Sequence, residues 1–121
     1  EKSKVYYCDM HTGRMNLPEK LKYLMKKWFE NIDFEDKYAA IKIHFGEPGN
    51  LAYLDLTGQV VCDYVKELGG KAFLTDCNTL YVGGRKNALD HLDSAYTNGY
   101  NPFQTGVHTI IADGLKGTDE L

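Results

Sequence analysis

Tyr38-Ala39-Ala40-Ile41-Lys42-Ile43-His44-Phe45, stopped by Gly46-Glu47-Pro48-Gly49-Asn50, decides how the chain is read. A run of β-formers bounded by a Gly/Pro turn is a strand. Lys42 and His44 alternate with Ile41, Ile43 and Phe45, so the two ionisable groups face one side and the apolar groups the other. A strand covered on both faces would be apolar throughout. Lys42 and His44 therefore require either an edge strand with a solvated face or a polar crevice near the strand end.

Working outward, a helix capped by Thr57 or Asp55 carries Val61, Tyr64, Val65 and Leu68 on its apolar face and ends at Gly69-Gly70. Lys71–Asp76 follows as a strand, and Asn78 to Gly84 as a loop. A helix from Arg85 to about Asn98 uses Ala88, Leu89, Leu92, Ala95 and Tyr96. Asn101-Pro102 opens a connector to a last strand, Val107–Ala112. In the other direction, Asn16-Leu17-Pro18-Glu19 is a capping-box helix start. Leu17, Leu21, Leu24, Met25, Trp28, Phe29 and Ile32 recur behind it at helical spacing. Ahead of it, Lys4–Met10 is rich in β-formers and reads as a first strand closed by His11-Thr12-Gly13.

Strands and helices thus alternate, with strand starts about 35 residues apart, a spacing that suits βαβ crossovers. The expected fold is α/β: a mostly parallel sheet of about four strands in βαβαβαβ order, with helices on both faces, in a single domain over residues 1–121. The chain stops at Gly117-Thr118-Asp119-Glu120-Leu121, just after a strand and with no covering helix. A longer polypeptide, of which this is the N-terminal part, is the expectation.

Composition narrows the function classes. The 121 residues carry 14 Lys+Arg against 17 Asp+Glu, a formal charge of −3 that argues against a general nucleic-acid coat. No apolar run approaches the roughly 20 residues of a membrane helix. Cys8, Cys62 and Cys77 are far apart, with neither a disulfide framework nor a C-x-x-C. They are simplest as reduced core thiols in a cytoplasmic protein, with Cys77 the one to test for reactivity.

Chemistry is expected where parallel strands end, because ligands of open α/β sheets bind beyond their carboxyl ends. Asp9 and His11 close the first strand, His44 and Glu47 the second, Asp76 and Asn78 the third, and Asp113 and Lys116 the fourth. Lys42 could hold an anion, with Asn50 in the loop beyond it. Gly83-Gly84-Arg85-Lys86 would put free N–H groups and cations at a helix N-terminus, suited to a carboxylate or phosphate. His44, Asp76 and His91 form a candidate metal set, against the plain reading of His91 as a core histidine. No G-x-G-x-x-G, P-loop or G-x-S-x-G accompanies them.

Three stretches together carry a resemblance: Ala40–Asn50, Phe73–Tyr81 with Gly84-Arg85, and Ile110–Gly117. Across nearly the whole chain the sequence resembles the uncharacterised iron–sulfur centre proteins that share the DUF362 domain. In that family a ferredoxin-like segment with two 4Fe-4S clusters commonly follows the domain. The resemblance implies that the clusters belong to a C-terminal segment not contained in this sequence, and that the remainder of the full-length protein is a partner. Leu54-Asp55-Leu56-Thr57 departs from the family pattern, standing where a basic element such as Arg-Pro is expected. The resulting expectation is a ligand-binding, possible electron-transfer α/β domain that takes a small anion or metal-associated ligand at the strand ends. A non-catalytic docking module is the alternative.

Overall fold

The computed structural model describes residues 2–49 and 55–119, with the side chains of Asp55 and Leu56 outside the description. It holds a parallel sheet of three strands, β1 (Tyr38–Lys42), β2 (Lys71–Asp76) and β3 (Thr109–Ile111), in the order β1-β2-β3. Among the described residues four helices accompany them: α1 (Leu17–Trp28), α2 (Asp55–Glu67), α3 (Ala88–Thr97) and the one-turn α4 (Pro102–Thr105). The α/β class and parallel pairing agree with the sequence reading.

Two parts of the expected architecture differ. Lys4–Met10 forms no strand; it lies along α1, where Lys4, Val5 and Tyr6 line a cavity of about 480 Å³ with Leu21, Leu24, Met25 and Trp28. Lys20 Nζ bonds the Asp9 carboxylate at 2.7 Å and also meets the Asp9 and His11 carbonyls, tying the segment to the helix. Strand composition does not decide the outcome here: Lys20 clasps the segment to α1 while Val5, Tyr7 and Met10 stay exposed. Asp9 and His11 accordingly find their partners on α1 rather than at the strand tips.

The helices also do not divide between both faces of the sheet. Ile41, Ile43, Ala72 and Leu74 share one core with Cys62 of α2 and Ala88, Leu92 and Ala95 of α3. Consecutive strand order with crossovers of one hand puts both crossover helices on the same side. On the other face Tyr38, Ala40, Lys42 and Ile110 are exposed. Lys42 and His44 therefore point away from the core, as the alternation in β1 requires.

Local signals fix the element ends. The Asn16 side chain accepts from the Glu19 N–H at 2.9 Å while the Glu19 carboxylate accepts from the Asn16 N–H at 2.8 Å. At the end of α2, Gly69 takes φ +84°, and the Gly69 and Gly70 amides return to the Lys66 and Val65 carbonyls at 3.0 Å each. That is a Schellman closure, which favours glycine at the left-handed position. β2 then starts at once, within its expected bounds. α1 packs on α2 through Phe29 stacked on Tyr64 and a Lys22–Glu67 ion pair of 2.7 Å.

Candidate functional site

The strand tips gather into one polar corner. Phe45-Gly46-Glu47 leaves β1 and passes directly over α3. A Cβ on Gly46 would lie 2.2 Å from the His91 ring and 3.2 Å from Arg85 Cδ, so only glycine lets this backbone approach so closely. Asn98, just past α3, fixes the turn by donating to the Phe45 carbonyl at 2.9 Å and the Glu47 carbonyl at 3.0 Å. From the opposite side Gly84 fits against Pro48, where a Cβ would stand 3.0 Å from the proline ring. Two glycines thus press the β1 loop and the loop after β2 together.

Arg85 fills the junction. It is 7% exposed, and its guanidinium is occupied by three side chains. Nη2 pairs with Glu47 Oε2 at 2.5 Å and donates to the Tyr81 hydroxyl at 2.6 Å, while Nη1 stands 3.0 Å from His44 Nδ1. The sequence reading placed Gly83, Gly84 and Arg85 at the N-terminus of a helix. The helix instead begins at Ala88 with Asn87 as its cap, whose side chain accepts from the Asp90 N–H at 3.0 Å. The Ala88 amide is taken by the Leu115 carbonyl at 2.9 Å. These N–H groups are thus satisfied from within the chain, and Arg85 acts from a loop whose ends meet through the Thr79 amide and the Arg85 carbonyl at 2.8 Å.

Asp76, at the tip of β2, links both faces of the sheet. Its Oδ1 accepts from the Cys77 amide at 2.9 Å and pairs with Lys42 Nζ at 3.0 Å. Its Oδ2 is 3.6 Å from His44 Nδ1 and 3.8 Å from His91 Nε2, beyond hydrogen-bond reach. His91 is completely buried against Phe45, with ring centroids 5.3 Å apart. Burial pushes its imidazole pKa down; Asp76 and Asp113 oppose that shift, while Arg85 and His44 reinforce it. Asp76 Oδ2, Asn78 Oδ1 and both His91 ring nitrogens have no hydrogen-bond partner among the described residues.

Asn78 and Asp113 join the tips of β2 and β3. The Asn78 amide and side chain bond the Asp113 carboxylate at 2.9 and 3.1 Å, and the Asn78 side chain also donates to the Gly114 carbonyl at 2.9 Å. Of the candidates read from the sequence, Lys42, Asp76, His44, Arg85 and Glu47 are linked in that order by successive contacts, and His91 adjoins Asp76. Asn78 and Asp113 form a neighbouring strut. Gly83, Gly84 and Lys116 are exposed, Gly84 serving the packing against Pro48. Asn50 lies outside the described residues. Among the described residues no group of three or more His, Cys, Asp or Glu side chains is arranged to hold a metal ion. Tyr81, Asn98 and Gly46 were missed as site residues: Asn98 and Gly46 act across separations such as the 53 residues between Asn98 and Phe45, and Tyr81, four residues from Arg85, acts only because Arg85 turns inward from a loop.

A family model described as a domain of unknown function (DUF362) matches residues 39–121, well over half of the chain. The chain belongs to the DUF362 family. Its match begins at the second residue of β1 and contains the rest of the sheet and every residue of the corner, while α1 and the segment before it fall outside. The resemblance read over nearly the whole sequence is thus narrower, starting at Ala39. No curated protein and no solved structure matches this DUF362 chain. Among its described residues no helix is long and apolar enough to cross a membrane.

Proposed function

We propose that this DUF362 domain binds a small polar ligand at the carboxyl ends of its strands, in the corner formed by Lys42, His44, Glu47, Asp76, Arg85 and His91. The observation that carries this reading is the group of buried polar atoms left unmatched at the strand tips: Asp76 Oδ2, Asn78 Oδ1 and the His91 nitrogens. Each such atom costs about 1–3 kcal/mol unless something bonds it, and native interiors tolerate few. Half-exposed His44 and Glu47 and well-exposed Lys42 give an approach from solvent, with side-chain exposures of 45%, 45% and 65%. A small anion, or a metal-associated ligand, fits the mixed acids, bases and cations of this rim.

The family resemblance adds a redox setting, in which 4Fe-4S clusters in a C-terminal segment would relay electrons and this domain would position the acceptor. The cysteines of this chain do not fit a cluster themselves. Cys62 is buried, its thiol raised to about 11 by desolvation, and Cys77 is exposed at a strand tip. A four-iron cluster needs four converging thiolates, and the chain has three cysteines in all.

A docking module is favoured by a different observation, the uncovered sheet face with Tyr38, Ala40 and Ile110 exposed. Thermal-shift screening with divalent metals, phosphates, nucleotides and carboxylates separates the two readings. Stabilisation by one class, lost in His44→Ala and Lys42→Ala, is expected for the binding site. Both side chains reach solvent, so circular dichroism should show these variants folded, at a cost in stability because Arg85 or Asp76 is left less well matched. No response to any class would overturn the binding reading and leave docking.

A further inference from the structure

We infer that the group recognised at Arg85 is a ligand carboxylate, and that Glu47 occupies its place from within the chain. The inference rests on the binding reading above and names the ligand class of that corner. Arg85 is buried and fixed: its guanidinium meets Tyr81 at 2.6 Å and His44 at 3.0 Å, and the loop backbone closes through its carbonyl. Glu47 differs. Its backbone is pinned by Asn98 at 3.0 Å, but its side chain is half exposed and comes to Arg85 from the solvent side. A carboxylate at the mouth of a buried guanidinium can rotate outward without moving the backbone. The space it leaves is bordered by Arg85 Nη2, by the His44 ring 3.8 Å from the present Glu47 oxygen, and by the Tyr81 hydroxyl. That hydroxyl accepts from Arg85, so its own hydrogen remains to be given to an incoming oxygen.

Charge selects the ligand class. Lys42 and Arg85 face Glu47 and Asp76, so the corner is balanced as it stands, and a Glu47 carboxylate turned outward leaves one positive charge to be matched. A monoanionic carboxylate that replaces Glu47 beside Arg85 needs no second positive charge. A phosphate dianion adds charge beside Asp76 and is disfavoured. Arg geometry suits a planar carboxylate equally well.

Titration of acetate, succinate and inorganic phosphate into the wild-type chain and into Glu47→Gln, followed by thermal shift and calorimetry, tests the inference. Glu47→Gln keeps the shape but removes the competing charge. It should bind acetate and succinate about tenfold tighter than wild type, the worth of one charge-assisted hydrogen bond, with a smaller gain for phosphate. Adding Tyr81→Phe should remove part of that gain. Equal carboxylate affinity in the two proteins overturns the inference, as does a larger gain for phosphate. Should Glu47→Gln fail to fold by circular dichroism, Glu47→Asp, which draws the carboxylate back by one methylene, is expected to gain in the same direction by a smaller factor; equal affinity there is equally decisive against it. If the wild type is stabilised by metals or nucleotides through His44 while no Glu47 variant gains carboxylate affinity, the carboxylate assignment falls and ligand binding at the rim stands.

Discussion

α1 and the strand-tip corner are built in opposite ways. α1 closes its own start with Asn16 and Glu19, three residues apart, and adheres to α2 through aromatic and aliphatic contact such as Phe29 on Tyr64. The corner has two short-range pairs, Arg85–Tyr81 and His44–Glu47, but is joined across long separations. Arg85 reaches His44 across 41 residues, and Asn98 reaches Phe45 across 53. A local cap can be lost without disturbing its neighbours, whereas a polar junction of buried side chains fails as a unit, since each member removed leaves another unmatched. The family match falls on the second kind of structure: it takes in the corner and leaves α1 out.

The contrast can be broken by measurement. Arg85→Gln should have the largest effect, a loss of about 3–5 kcal/mol of unfolding free energy in urea, because it leaves Glu47 and the Tyr81 and His44 contacts without their buried centre. Gly46→Ala comes next at about 2–3 kcal/mol, since its methyl must displace the enclosed His91 ring, and His91→Ala in the same chain should recover part of the loss. Additivity of the two would show that they do not share a space.

A third test uses pH. The unfolded chain binds a proton at His91 near the ordinary value of 6.5, while the buried imidazole, pushed down, does not. The stability that the neutral ring contributes is therefore full above about pH 6.5. It is lost as pH falls through the window between 6.5 and the lower folded-state value, with a slope of at most about 1.4 kcal/mol per pH unit. Denaturation midpoints of wild type and His91→Phe across pH 7.5 to 5 should differ in that slope. Asn16→Ala is expected to be the smallest, about 1 kcal/mol for a lost helix cap, read by denaturation. A cap variant that costs more than Arg85→Gln would reverse the comparison.

The same contrast explains what could be read in the sequence. Capping residues, the glycine pair after α2 and the alternation in β1 act within a few positions, so α1, the end of α2 and β2 were legible, as was the outward facing of Lys42 and His44. The gathering of His44, Glu47 and Asp76 was legible too, because parallel strands share a tip direction, whereas Asp9 and His11, read into the same rim, lie on α1 instead. What was not legible depended on competition between distant surfaces. Lys4–Met10 has strand composition, yet Lys20 of α1 holds it, with Val5, Tyr7 and Met10 still exposed. Gly83-Gly84-Arg85 looked like a helix start, but the Asn87 cap moved that start to Ala88 and turned Arg85 inward. Helices on one face rather than both follow from strand order, which no local pattern encodes.

Asn98 has a consequence for the order of folding. It sits immediately after α3, and its single amide group grips the chain on both sides of Gly46. The β1 turn cannot reach its final shape until α3 has docked on the sheet, so a loop closure of some fifty residues precedes it. The corner is accordingly assembled late and, by the same route, is among the first parts to open when α3 lifts away.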